Sequence, residues 1–170
     1  MMRRIYFPSD PNTPSVPDPV RYAPLERGDV PYLLKMTREN MSQVILSSWG
    51  LEWRDETLLE ELLDSHLFTE IAKSGDNPVG YYSIDRRGDY AFIISLQVTR
   101  EFQGYGLGKE MMQRIEDWAS QSGMEGVELC VQSTNDQAIG FYEHIGYDRV
   151  SRERNNIVMR KVLKQPTKGE

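Results

Sequence analysis

A chain of 170 residues, 39% hydrophobic and 27% charged, has enough apolar material for one packed domain and too much for a disordered one. Its formal net charge of −6 argues against a nonspecific nucleic-acid binder. The lone Cys130 excludes an internal disulfide or a cysteine-pair zinc site, no run has membrane-spanning length, and no apolar stretch follows the basic start, so a cytoplasmic protein is expected.

Residues 1–19 carry five prolines and read as an extended arm, 20–164 as a single domain, and 165–170 as a polar tail. A short strand is expected at 20–25. Asp29 is a good N-cap for a helix over 30–47, with Pro31 in its first turn. Leu33, Leu34, Met36, Met41, Val44 and Ile45 give that helix an apolar stripe. A connector with Trp49, Gly50 and Trp53 leads to a second helix at 55–66, with Leu58, Leu59, Leu62 and Leu63 inward. Strands follow at 68–73, 79–86 and 90–99, joined by Asp76-Asn77-Pro78 and Arg87-Gly88-Asp89 as an antiparallel meander. A helix runs to about residue 121. A buried strand at 127–132 holds Cys130, whose expected role is packing. A short helix at 136–144 and a hairpin over 147–153 and 156–163 close the domain. The fold class is therefore α/β with a mixed sheet, in the order β-α-α-β-β-β-α-β-α-β-β, with a crossover helix between its fourth and fifth strands.

The stretch Gln103-Gly104-Tyr105-Gly106-Leu107-Gly108-Lys109 joins a strand to a helix. Glycines let the backbone approach a ligand, and the first helical amides lack partners, so the loop suits a phosphate. Spacing excludes two nucleotide motifs. Gly104 and Gly108 are separated by three residues, not four, and Glu110 follows Lys109, so this is no magnesium-nucleotide loop. The residue three after Gly106 is Lys109, so the dinucleotide fingerprint fails as well. What remains is Gln-x-x-Gly-x-Gly, and alone it is more often a structural turn.

A second constellation lies downstream. Asn135, Ala138 or Ile139, and Tyr142 fall on a single side of the short helix. An isolated Asn and Tyr at that spacing more often serve packing than chemistry. Together, however, the two constellations resemble the GNAT superfamily of acyl-CoA-dependent N-acyltransferases. The resemblance covers about 20–163 and is strongest over 95–147. The family's Leu-x-Val followed by Gln-x-x-Gly-x-Gly reads here as Leu96-Gln97-Val98 and then Gln103 to Gly108. Its Asn…Ala…Phe-Tyr…Gly-Tyr reads as Asn135, Ala138, Phe141, Tyr142, Gly146 and Tyr147.

The resemblance implies acetyl-CoA as cosubstrate, an amine acceptor, and no metal. The diphosphate of coenzyme A would sit on the amides of Gln103, Gly104, Tyr105, Gly106, Leu107, Gly108 and Lys109. The sheet would splay between its fourth and fifth strands. The pantetheine arm would enter that gap along Leu96 and Val98, with Val131 opposite and an amide near Leu96 or Gln97 facing the thioester oxygen. Asn135 would bond the pantetheine, and Tyr142 would be both a cofactor contact and the general acid. The family's strand glutamate has no counterpart, because Ile93, Ile94 and Ser95 occupy that place. Glu52, Glu70, Asp85 and Glu128 are candidate bases, none singled out by spacing. Trp49, Glu52, Trp53 and Tyr82 are expected at the acceptor mouth. The acidic cluster Glu52, Asp55, Glu56, Glu60, Glu61 and Asp64, against one base, Arg54, reads first as a solvated helix face and second as an amine-steering patch. The acceptor is expected to be a small or peptide amine. The alternatives are an N-terminal acetyltransferase of the ribosomal-protein type and a non-catalytic acyl-CoA sensor. Family resemblance also admits a homodimer through the final hairpin.

Overall fold

The computed structural model describes residues 19–164. The arm expected over 1–19, its last residue apart, and the tail over 165–170 lie outside the described residues. The elements are β1 (Val20–Pro24), α1 (Val30–Trp49), α2 (Asp55–Leu63), β2 (Phe68–Ser74), β3 (Asn77–Arg87) and β4 (Tyr90–Val98), followed by α3 (Leu107–Gln121), β5 (Gly126–Gln132), α4 (Asp136–His144), β6 (Asp148–Glu153) and β7 (Asn156–Val162). Their order is the expected one. Among the described residues no helix is long and apolar enough to cross a membrane.

The strands form one mixed sheet in the order β1-β2-β3-β4-β5-β7-β6. Every neighbouring pair is antiparallel except β4 and β5, which the α3 crossover makes parallel. One face is covered by α3, whose Met111, Met112, Ile115 and Ala119 pack with Ala91, Ile93, Val127 and Leu129. The other is covered by α1 and α2, whose Leu33, Met36, Leu58 and Leu62 pack with Ile71 and Tyr81. Strand alternation sends the neighbours Tyr81 and Tyr82 to opposite faces.

Three local expectations are corrected. Asp29 precedes α1 without capping it through its side chain. Its carboxylate accepts the Glu26 N–H at 3.0 Å and pairs with Lys73 at 2.9 Å, and both partners of that pair are buried. The pair ties the start of α1 to β2. In α2 only Leu58 and Leu62 point inward, while Leu59 and Leu63 are exposed. A nine-residue helix on a sheet buries one stripe, and residues four apart share it. The helix stops at Leu63 because the Asp64 carboxylate accepts the His66 N–H at 2.9 Å, a local turn that competes with helix. Finally, Cys130 is exposed. Its apolar run alternates after all, with Val127, Leu129 and Val131 buried and Cys130 on the opposite face.

The feature that positions the site lies between β4 and β5. They pair only from Tyr90 with Gly126 to Ile93 with Leu129, although β4 continues to Val98 and β5 to Gln132. The cause is visible on the other side of β4. Ser83 pairs with Ser95 and Ile84 with Ile93, so Ile94 is an extra, bulged residue. A bulge bends its strand and strengthens the local twist. Beyond Ile94, β4 follows β3 while β5 follows β7, and a wedge opens between them.

Candidate active site

The wedge is the root of a cleft of about 1360 Å³ lined by β4, β5, the glycine loop, α1, α2 and α4. A pocket for one small ligand is typically about 300–1,000 Å³, so this cleft has room for two reactants side by side.

Its lower end is the glycine loop. Gly104 and Gly106 adopt φ of 82° and 84°, a region costly for any residue with a Cβ. A Cβ at either position would meet nothing within 4 Å, so the requirement is conformational and the space in front is open. Gly106 caps α3, and Glu110 N–H bonds the Gly106 carbonyl at 3.0 Å. The amides of Leu107, Gly108 and Lys109 come before that first helical bond and have no acceptor within the helix. Leu107 is buried, which anchors the loop, and Gly108 packs toward Phe141 of α4. The loop thus presents a row of donors at the positive end of a fifteen-residue helix. Tyr105 is partly exposed, and unlike its neighbours Gly104 and Gly106 it does not line the cleft.

Above the loop, Thr99 N–H bonds the Val79 carbonyl at 2.9 Å. Alternation then turns the backbone of Gln97 and Ser95 toward β3, and that of Leu96 and Val98 toward the wedge. The Val98 carbonyl is already engaged, however. It accepts from Asn40 Nδ2 at 2.8 Å and from Gln103 Nε2 at 3.0 Å. Asn40 Nδ2 also donates to Gln97 Oε1 at 3.0 Å. The side chains of Gln97 and Gln103 therefore clamp the end of β4 to α1, leaving the Leu96 groups and the Val98 amide for a ligand. Asn40 went unnoticed in the sequence, although its spacing from Met36 and Thr37 places it on the inward face of α1. Asn40→Ala is expected to destabilise the fold by about 1–2 kcal/mol, the usual cost of stranding a partly buried carbonyl's partners. Asn40→Asp should cost more, since a carboxylate oxygen then faces the Val98 carbonyl. Denaturant midpoints of the two variants check the order, and an aspartate variant as stable as wild type would dismiss the clamp.

Across the wedge, Val131 and Tyr142 line the cleft and are buried. Asn135 caps α4, its Oδ1 accepting the Ala138 N–H at 3.2 Å, and its amide nitrogen remains available to a ligand. The Tyr142 ring packs edge-on to Phe141 and Tyr147. Its hydroxyl has no hydrogen-bond partner among the described residues, and burial pushes its pKa up to about 12.

At the upper end, α1 spans the wedge. Ser47 Oγ lies 3.1 Å from Thr134 Oγ1, and Asn155 Nδ2 donates to the Ser48 carbonyl at 2.7 Å. Trp49, Glu52 and Trp53 line this end, with Trp49 partly exposed at the rim. The Trp53 indole N–H donates to Asp55 Oδ1 at 2.6 Å, and Asp55 also pairs with Arg38 of α1. Tyr82 is absent from the cleft. It faces α3, and its hydroxyl donates to Glu70. Three candidate bases are also engaged elsewhere: Glu70 with Arg114, Glu128 with Arg160, and Asp85 with Arg87. Of the four, only Glu52 lines the cleft. The structure adds Glu61, which was read only as part of an acidic run. It lies one turn after Leu58 and beside Leu62, on the inward side of α2. Its Oε1 is buried and unpartnered, and burial raises its carboxyl to about 7.

The acetyltransferase (GNAT) family profile matches residues 33–147. The chain is 31% identical over 107 residues to an N-alpha-acetyltransferase RimI of Mycobacterium tuberculosis, covering 60% of this chain and 65% of that one. It thus spans less than two thirds of the length of such curated relatives. Among solved structures it resembles the PaiA N-acetyltransferase of Thermoplasma acidophilum in complex with coenzyme A, with a TM-score of 0.72, 18% identity, and coverage of 85% of this chain and 99% of that one. It likewise resembles the ribosomal-protein-S18-alanine N-acetyltransferase of Escherichia coli, with a TM-score of 0.69, 17% identity, and coverage of 89% and 98%. At those identities the structural likeness speaks for the fold.

Proposed function

This chain belongs to the acetyltransferase (GNAT) family, and on that footing we propose that it moves the acetyl group of acetyl-CoA to a primary amine, small or peptidic, in a ternary complex. The observation that carries the reading is the wedge between β4 and β5, which ends at the donor row of Leu107, Gly108 and Lys109. Acetyl-CoA, when bound, supplies the acetyl group and a thiolate leaving group. The loop amides and the α3 dipole hold its diphosphate. The Leu96 backbone and the Val98 amide extend along the wedge as the edge of a strand that lacks a neighbour. Tyr142 keeps its proton up to high pH and stands ready to give it to the departing sulfur. Placing amine and thioester in one cleft supplies orientation.

A protein N-terminus as acceptor is favoured by the volume of the cleft and by its rim, where Trp49 and Leu51 are exposed. The names of the M. tuberculosis relative and the E. coli structure point the same way. Thiol release from acetyl-CoA, followed with an alanine-initiated peptide, a free amino-acid amide and a diamine, tests both readings. Turnover of the peptide alone supports the N-terminal acceptor. Tight coenzyme A binding with no turnover of any amine would mark a sensor and dismiss the enzyme.

A further inference from the structure

We propose that Glu61 is the carboxylate that receives the acceptor's ammonium group in the cleft and takes its proton before attack; this rests on the acetyltransferase reading above. A buried carboxylate oxygen without a donor is costly, and folds retain such groups where a ligand completes them. Glu61 Oε1 is in that state, and Glu61 lines the cleft. Other buried or partly buried carboxylates are engaged: Glu70 by Arg114, Glu116 by Lys161, Glu128 by Arg160 and Asp29 by Lys73.

The position of Glu61 is marked by its neighbours. Its charge acts on the buried phenol of Tyr81, whose pKa is raised mainly by burial. The Tyr81 hydroxyl lies 2.7 Å from Thr37 Oγ1 and 3.1 Å from Ser95 Oγ. Thr37 donates to the Leu33 carbonyl, so it accepts from Tyr81, and Tyr81 in turn accepts from Ser95. That chain points away from Glu61 and leaves the carboxylate unsatisfied. Ser95 is the first residue beyond the Ile94 bulge, and Glu61 lines the same cleft as Ile93, Ile94 and Ser95 at the root of the wedge. The ionisable group coupled to it is Tyr81 of β3, and those that line the same cleft are Glu52, Arg54, Arg100, Lys109, Cys130 and Tyr142. None of these forms an ion pair with Glu61. An ammonium is the ligand that fits: it brings donors and a charge opposite to that of the carboxylate.

The proton balance closes. The ammonium gives one proton to the Glu61 carboxylate and becomes a neutral amine. Its nitrogen then bonds the acetyl carbon as the carbon–sulfur bond breaks. Tyr142 gives its proton to the sulfur and recovers the second surplus proton from the nitrogen. Glu61 releases the first proton to solvent. Ammonium and thioester have become amide, thiol and one free proton.

The test uses the full chain, acetyl-CoA and the alanine-initiated peptide or the diamine, whichever wild type turns over. Glu61→Gln is expected to lower kcat/KM by about 100-fold at pH 7.5, within the range of a lost general base. The rise of kcat/KM through about pH 7 should vanish with it, since that rise follows ionisation of Glu61. Coenzyme A affinity by calorimetry should stay within about twofold, because Glu61 lies outside the diphosphate cradle. Glu61→Asp should recover part of the rate and keep the pH dependence. A second readout needs no substrate. A folded pKa of about 7, raised from 4.5, favours the fold below pH 4.5 and withdraws that support as pH rises through about 7. The melting temperature of wild type should therefore fall relative to Glu61→Gln between pH 5 and pH 8. A glutamine variant with the wild-type rate, or one that loses rate but keeps the rise near pH 7, overturns the proposal and leaves the acetyltransferase reading intact. Failure of wild type with every amine removes that reading and this inference together.

Discussion

Gly106→Glu is expected to weaken coenzyme A binding by about 100-fold or more, whereas Gly106→Ala should change it by no more than about threefold. Both variants force a Cβ into the φ of 84° at the N-cap of α3. That strain, about 1–2 kcal/mol, is common to the pair and affects stability more than affinity. The Cβ common to both variants meets nothing within 4 Å at Gly106. The difference between them is therefore charge and reach. A glutamate there would bond the amides of Leu107 to Lys109 itself, as acidic residues do at helix starts. It would also repel a diphosphate. Like charges about 5 Å apart at an effective dielectric of about 20 interact by roughly 3 kcal/mol before screening. At 1.4 kcal/mol per tenfold, roughly 3 kcal/mol gives the stated loss. Calorimetric titration of coenzyme A into both variants provides the measurement. Equal affinities for the alanine and glutamate variants would show that no anion sits on the loop.

Tyr142→Phe should lower kcat by about 100-fold while leaving coenzyme A affinity nearly unchanged. The ring's edge contacts with Phe141 and Tyr147 survive the change, and the hydroxyl has no hydrogen bond among the described residues to lose. The packing cost is accordingly small and the chemical cost large. The pKa also sets the form of the pH profile. Burial pushes the phenol up to about 12, so it stays protonated from pH 6 to well above 10. Wild-type kcat should show no alkaline fall in that range, and an ordinary phenol near 10 would show one. Complete transfer from such a phenol to a thiolate of ordinary pKa, about 8.5, is uphill by roughly 5 kcal/mol. The same burial makes the leaving thiolate more basic, which narrows the gap. Single-turnover rates measured across pH decide the matter. A phenylalanine variant as fast as wild type would transfer the acid role to water.

Much of this fold was legible in the residues because its signals are local. Tight turns and helical periodicity specify the element order, and positive φ specifies glycine at 104 and 106. The motif Gln103 to Gly108 follows β4 as read and runs into the first turn of α3. Its glutamine has an added role that spacing alone would not reveal, bonding the Val98 carbonyl five residues earlier. Some errors of reading came from faces. Cys130 lies in an apolar run whose alternation is hidden by its small, apolar thiol. Tyr82 was placed at the acceptor mouth, yet strand parity turns it toward α3 and leaves Tyr81 facing α1 and α2.

Glu61 and Asn40 show the boundary most clearly. In sequence Glu61 is one acid among six near α2, and nothing in composition separates it from its exposed neighbours Glu56 and Glu60. Its burial depends on how α2 rolls against β3 and α1, which is set by Leu58 and Leu62. Asn40 meets Gln97 and Val98 across 57 and 58 residues of chain. The sequence by itself determined the family pattern, the order of elements along the chain and the glycine loop between strand and helix, because each rests on backbone preferences within a few residues. The tertiary structure alone decided that β4 leaves β5 after Ile93, that α1 bridges the wedge, and that the Glu61 carboxylate lines the cleft with a buried oxygen that has no hydrogen-bond partner among the described residues. Those features arise from a single bulge and from side chains that meet only after the sheet has formed, where packing selects among faces that local periodicity leaves equivalent.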